Sequence, residues 1–160
     1  AVMIYRMLED IRQTVFRQTR FAEFDLVIHE MAENGEPMTA DALMAKSRAI
    51  FQKYYGPDLV LDPEADVECL RIPHHYYNFY VYRYADSYSA AATIAKRIMA
   101  KEPGAVENWM KFLKTGNSMY ALDMLKIAGA DMTTPKPIED CMALFEDLLA
   151  ELEVLLEELN

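Results

Sequence analysis

The 160 residues are 52% apolar with only 5 glycines and 7 prolines, a chain long enough to bury a core and too apolar for disorder. Sixteen basic against 26 acidic residues leave a net charge of −10, so no basic stripe exists to neutralise phosphates, which argues against nucleic acid and anionic membrane as partners. No apolar run approaches the ~20 residues of a spanning helix and no secretory leader is present, so the expected location is the cytoplasm.

Helical signals dominate from the first residues. Ile4, Leu8, Ile11 and Val15 recur at three- and four-residue intervals and predict a helix from about Val2 to Asn34, where Asn34-Gly35 terminates it. The chain opens inside that pattern with no capping residue and no start methionine, so the expectation is cleavage from, or truncation of, a longer polypeptide. Met38-Thr39 offers an N-cap for a helix from Ala40 to about Tyr55, closed by Gly56-Pro57. Leu59-Val60-Leu61 is at most a short extended stretch. Asp62-Pro63-Glu64 restarts a short helix that Pro73 interrupts. Pro73 then suits the opening of the next helix, expected from His74 to about Lys101.

Pro103-Gly104 breaks that helix, and Ala105–Lys114 forms another before Thr115-Gly116-Asn117. Ser118 is the expected cap of a shorter helix ending at Ala128, with Gly129 as its stop. Beyond Pro135 and Pro137 a final helix buries Cys141, Phe145, Leu148, Leu152, Leu155 and Leu159. Cys69 and Cys141 sit in apolar surroundings without a spaced framework and read as buried free thiols, a single disulfide between them being the alternative. With no repeat and no composition shift, residues 1–160 form one all-α region.

One segment departs from ordinary helical patterning. Arg71–Ala85 holds two of the three histidines and five of the ten tyrosines. Imidazoles and phenol hydroxyls bind peptide carbonyls and stabilise a developing oxyanion. Yet no His-Glu-x-x-His stands anywhere in the chain. His29-Glu30-Met31-Ala32-Glu33 begins like that zinc motif, but Glu33 replaces the second imidazole, so it reads as an ordinary helix end.

Arg71-Ile72-Pro73-His74-His75-Tyr76-Tyr77-Asn78-Phe79-Tyr80-Val81-Tyr82-Arg83-Tyr84-Ala85, with Ser89-Ala90-Ala91, resembles the C-terminal part of the oligoendopeptidase F family of zinc metallopeptidases. Thr14–Phe24, Gly35–Ala40, Tyr54-Tyr55-Gly56, Phe112–Ser118 and Leu125–Met132 are similar to that family in order and spacing, so the resemblance spans nearly the whole chain. It implies the C-terminal helical part of a larger, mostly helical peptidase with a deep substrate channel. The zinc and general base would lie in the upstream part of the same polypeptide, with no cofactor in this chain and an oligopeptide as substrate.

The resemblance also implies site roles. His74 and Tyr82 are the expected oxyanion-stabilising catalytic pair, and Tyr77 and Tyr80 the expected substrate-binding groups. In a straight helix His74 and Tyr82 lie about 80° apart, whereas Tyr80 and Tyr82 lie about 160° apart and one of them belongs in packing. Tyr76, Tyr84 and Tyr88 are assigned to packing, and His75, where the family usually has Phe, stays open. The usual Ala-Thr-Gly reads Ala85-Asp86-Ser87, which bears on substrate preference. The alternative to a peptidase portion is a stand-alone, non-catalytic helical binding or scaffold module.

Overall fold

The computed structural model describes residues 1–158, and among them there are helices and turns but no strand, as the all-α expectation requires. Seven α-helices follow in order: α1 Val2–Ile11, α2 Arg17–Glu33, α3 Ala40–Tyr55, α4 Tyr82–Met99, α5 Ala105–Thr115, α6 Ala121–Ala128 and α7 Lys136–Glu157. Single-turn 3₁₀ segments, Pro63–Val67, Cys69–Arg71 and Pro73–Tyr76, carry the chain from α3 towards α4. The long first helix forms with one interruption that periodicity did not show. Residues Arg12–Phe16 make a π-helical turn, wider than an α-helical one.

Two compact units result, Ala1–Val15 with Asp86–Asn160, and Phe16–Ala85. In the first, α1 packs on α7 and α5 on α6. Ala90, Ile94, Ala128 and Ala130 are its small-residue core, with Ile98, Trp109, Phe112, Leu125 and Met132 packed around them. The α7 stripe is as expected: Cys141 and Leu148 are buried, and Phe145, Leu152 and Leu155 are half-buried. Leu159 lies outside the described residues. Asp140, nearly buried, accepts from Lys96 and Lys136, each at 2.6 Å. Gly129 closes α6 at φ +94°, and the Arg97 guanidinium occupies the space that a Cβ there would take. Ser118 is not the cap of α6. That helix starts at Ala121 after Tyr120, without a side-chain cap, and Ser118 donates its N–H to the Thr115 carbonyl.

The second unit is built on α2 packed against α3. Its core is Phe21, Phe24, Ile50, Cys69 and Val81. Thr39 caps α3 as expected, its Oγ1 accepting from the Ala42 N–H at 3.3 Å. A charged clamp crosses this core. Arg17 donates to Glu68 at 2.5 Å, and Arg20, 1% exposed, reaches the same carboxylate while its guanidinium lies over the Phe21 and Phe51 rings. Burial pushes the Glu68 carboxyl upward, but the two guanidinium groups outweigh it and hold the group below its ordinary value. Both cysteines are free and buried.

Candidate functional site

The histidine–tyrosine segment is not the start of a helix. Pro73 opens only a 3₁₀ turn through Tyr76, and α4 begins at Tyr82. Between them Asn78 and Phe79 adopt φ of 52° and 57°, the left-handed region that residues with a Cβ rarely occupy. Asn tolerates it; for Phe the conformation costs about 1–3 kcal/mol and has to be held by its surroundings. The angles computed for a straight helix therefore do not apply, and the expected helix from His74 to Lys101 is shortened at its N-terminal end.

This break decides what meets His74. Tyr77, Tyr80 and Tyr84 surround its imidazole, with ring centroids 6.0, 5.9 and 6.0 Å away. The Tyr84 hydroxyl hydrogen-bonds with His74 Nε2 at 3.3 Å. Tyr84, assigned to packing from sequence, is thus the tyrosine bonded to His74. Tyr82 is 47% exposed and instead lines a pocket of about 200 Å³ with Ala22, Asp25, Leu26 and Phe79. Of Tyr80 and Tyr82 neither is buried; Tyr80 is half-buried among the rings and under the Arg83 guanidinium. Tyr76 does not pack either, being 87% exposed. At the helically spaced positions Tyr77, Val81, Tyr84 and Tyr88, only Val81 is buried; Tyr88 is half-buried and Tyr77 and Tyr84 are exposed. The result is an exposed aromatic surface around one imidazole.

Behind that surface lies a group the sequence did not bring forward. Asp25 on α2 is fully buried, and neither carboxylate oxygen has a hydrogen-bond partner. Its Oδ1 lies 3.4 Å from His29 Nδ1 and 3.6 Å from His75 Nδ1. The His29 Nδ1–H donates to the Asp25 backbone carbonyl at 2.7 Å, and the His29 ring lies against the Phe79 ring at 4.5 Å. His75 is wedged beside Phe21 and Phe24, its side chain 10% exposed, with both ring nitrogens unbonded. Burial lowers its pKa from 6.5, opposed by the Asp25 charge. The available signal was spacing: Phe21, Phe24 and Asp25 fall on one side of α2, and a carboxylate on a buried face calls for a partner.

Among the described residues no group of three or more His, Cys, Asp and Glu is arranged to hold a metal ion. These residues therefore do not fit a zinc centre. No helix among the described residues is long and apolar enough to cross a membrane. A second, larger concavity of about 460 Å³ runs along α4, between Ala90, Ile94 and Ile98 on one side and Trp109, Phe112 and Leu125 on the other.

Residues 2–144 match peptidase family M3, and the chain belongs to that family. It is 47% identical over 154 residues to the oligopeptidase PepF of Bacillus subtilis (strain 168), covering 96% of this chain and 23% of that protein. To an oligoendopeptidase F homolog of Borreliella burgdorferi it is 45% identical over 146 residues, 91% of this chain and 25% of the relative. The crystal structure of oligoendopeptidase-F from Enterococcus faecium superposes with a TM-score of 0.93 at 45% identity, covering 97% of this chain and 30% of the other. The chain thus spans about a quarter of the length of the curated relatives it matches. The resemblance drawn from Arg71–Ala92 and its companion motifs is borne out.

Proposed function

We propose that this chain is the substrate-binding portion of a zinc-dependent oligoendopeptidase that cleaves short peptides in the cytoplasm. The observation that carries the reading is the exposed aromatic surface around His74, presented by a member of a peptidase family. Rings that pack a core are buried; rings left in water around an imidazole cost hydrophobic free energy unless something binds them.

In this reading His74 and Tyr82 donate hydrogen bonds to the scissile carbonyl oxygen and to the charge that develops on it. The hydrogen bond between the Tyr84 hydroxyl and His74 Nε2 orients the His74 ring, and Tyr77 and Tyr80 hold the flanking peptide. The metal that activates water, and the base that takes its proton, belong to the upstream part of the same polypeptide. By itself the chain binds peptide weakly and does not hydrolyse it.

The test is kinetic and uses the full-length polypeptide that carries this sequence. Tyr82→Phe and His74→Gln are expected to lower kcat on a fluorogenic oligopeptide by ~10²-fold or more, while KM changes little. Unchanged kcat in both variants overturns the assignment. Activity retained by the 160-residue chain alone overturns the division of labour.

A further inference from the structure

The proposed His74 surface depends on a backbone that its own sequence does not stabilise. Phe79 is held in a left-handed conformation with a side chain that disfavours it, and His74 sits in a single 3₁₀ turn. Something outside residues 73–82 must hold them. Beside the Tyr84 hydrogen bond to His74 and the packing of Val81 in the core, one unexplained group lies against this segment: the buried carboxylate of Asp25, whose two oxygens make no hydrogen bond in a site where an apolar side chain would be less costly.

We infer that Asp25 is the positioning residue of the His74 surface: it holds the His75 and His29 rings and through them fixes the Pro73–Tyr82 segment. Two connections carry this. One runs from Oδ1 to His75, so the residue next to His74 is drawn into the core beside Phe21 and Phe24 and His74 is left facing the tyrosines. The other runs from the Asp25 backbone carbonyl and Oδ1 to His29, whose ring then supports Phe79 and the left-handed turn ahead of Tyr80 and Tyr82. This inference rests on the reading of His74 and the tyrosines as the substrate-facing groups.

The electrostatic surroundings are confined. Facing Asp25 are His29 on its own helix, His75 from the 3₁₀ turn and, across the small pocket, Tyr82 at the start of α4. Facing His75 are Asp25, the neighbouring His74 and the Cys69 backbone. The Arg17–Arg20–Glu68 clamp acts on the Cys69 thiol. A charge change at Asp25 is therefore read first by His75 and His29. Burial of His75 opposes its protonation, and Asp25 is the group that counters this.

The test is a pH titration of the three imidazoles by NMR in the ring-labelled chain. Asp25→Asn is expected to lower the His75 titration midpoint by about one pH unit or more, because a charge within 4 Å is lost from a buried site. It is also expected to weaken the His74–Tyr84 contact and the His29–Phe79 ring contact. Intact His74–Tyr84 and His29–Phe79 contacts in Asp25→Asn overturn the inference whether or not the His75 midpoint moves, since loss of a charge so close to His75 shifts that midpoint by itself. Should Asp25→Asn not fold, His29→Leu carries the test, because a ring 47% exposed is removable without opening the core. There the expected result is loss of the left-handed couplings of Asn78 and Phe79 and displaced Tyr80 and Tyr82 signals; an unchanged turn overturns the inference. None of these measurements needs peptide hydrolysis, so their failure and the failure of the peptidase reading are told apart.

Discussion

Removal of the Glu68 carboxylate is the sharpest perturbation of the unit formed by Phe16–Ala85. Arg20 is 1% exposed, and its Nε and Nη1 have no hydrogen-bond partner, so Glu68 compensates a cation that is otherwise buried among rings. Breaking a buried pair from one side typically costs about 3–5 kcal/mol. Two terms reduce that here. The Phe21 and Phe51 rings remain under the guanidinium at 4.5 and 4.0 Å, each worth about 1 kcal/mol. Glu68 is itself 21% exposed, so water reaches the emptied site. The expected loss for Glu68→Ala is about 3 kcal/mol at neutral pH.

Urea denaturation followed by helical circular dichroism measures this loss. The double variant Arg20→Met with Glu68→Leu, which removes both charges, should lie within about 1 kcal/mol of the parent. The pH dependence supplies a second check. Glu68 is depressed below 4.5, so its contribution is complete above that value and disappears as the pH falls through the folded-state pKa. The parent and Glu68→Ala should therefore converge in acid. A loss below about 1 kcal/mol, or a double variant as unstable as the single one, refutes the reasoning.

Three other outcomes are expected. His75 has a folded pKa below 6.5, so its contribution is present above that pH and lost on acidification; at about pH 5.5 this amounts to at most about 1.4 kcal/mol. His75→Phe should lose less stability than the parent between pH 7.5 and about pH 5.5, as paired denaturation curves would show. Gly129→Ala should destabilise by about 1–3 kcal/mol in thermal unfolding, since a Cβ at φ +94° both strains the backbone and displaces Arg97 from the Ala128 carbonyl. Thr39→Ala, which removes the cap at the start of α3, should cost about 1 kcal/mol, and Thr39→Ser should restore most of it.

Legibility in the sequence followed how local the cause was. The Thr39 cap, the Gly56 and Gly129 terminators and the α7 stripe are written within a few residues of where they act, and all were readable. The start of α4 was not. Periodicity continues through Tyr77, Val81 and Tyr84, and no glycine marks the turn at Asn78-Phe79, because support from the His29 ring takes glycine's place. For the same reason the straight-helix angles that put His74 and Tyr82 on one face do not hold. Asp25 was missed because its partners include His75, far along the chain, and a carboxylate on a helix is ordinarily solvated. Ser118 looked like a cap and is not, since its N–H closes a turn on the Thr115 carbonyl and Met119 and Tyr120 intervene before α6 begins.

The two cysteines have a practical consequence. Each thiol is buried, and burial raises its pKa above the ordinary 9.0, with Ser47 beside Cys69 and Ser89 beside Cys141 only partly opposing the shift. At neutral pH hardly any thiolate exists at either site, and neither is open to a reagent. The native chain is in effect silent towards maleimides and iodoacetamide. A single cysteine introduced on the exposed ring surface, in place of Tyr76 for instance, would therefore take up a fluorophore alone and report peptide capture without removal of the natural thiols.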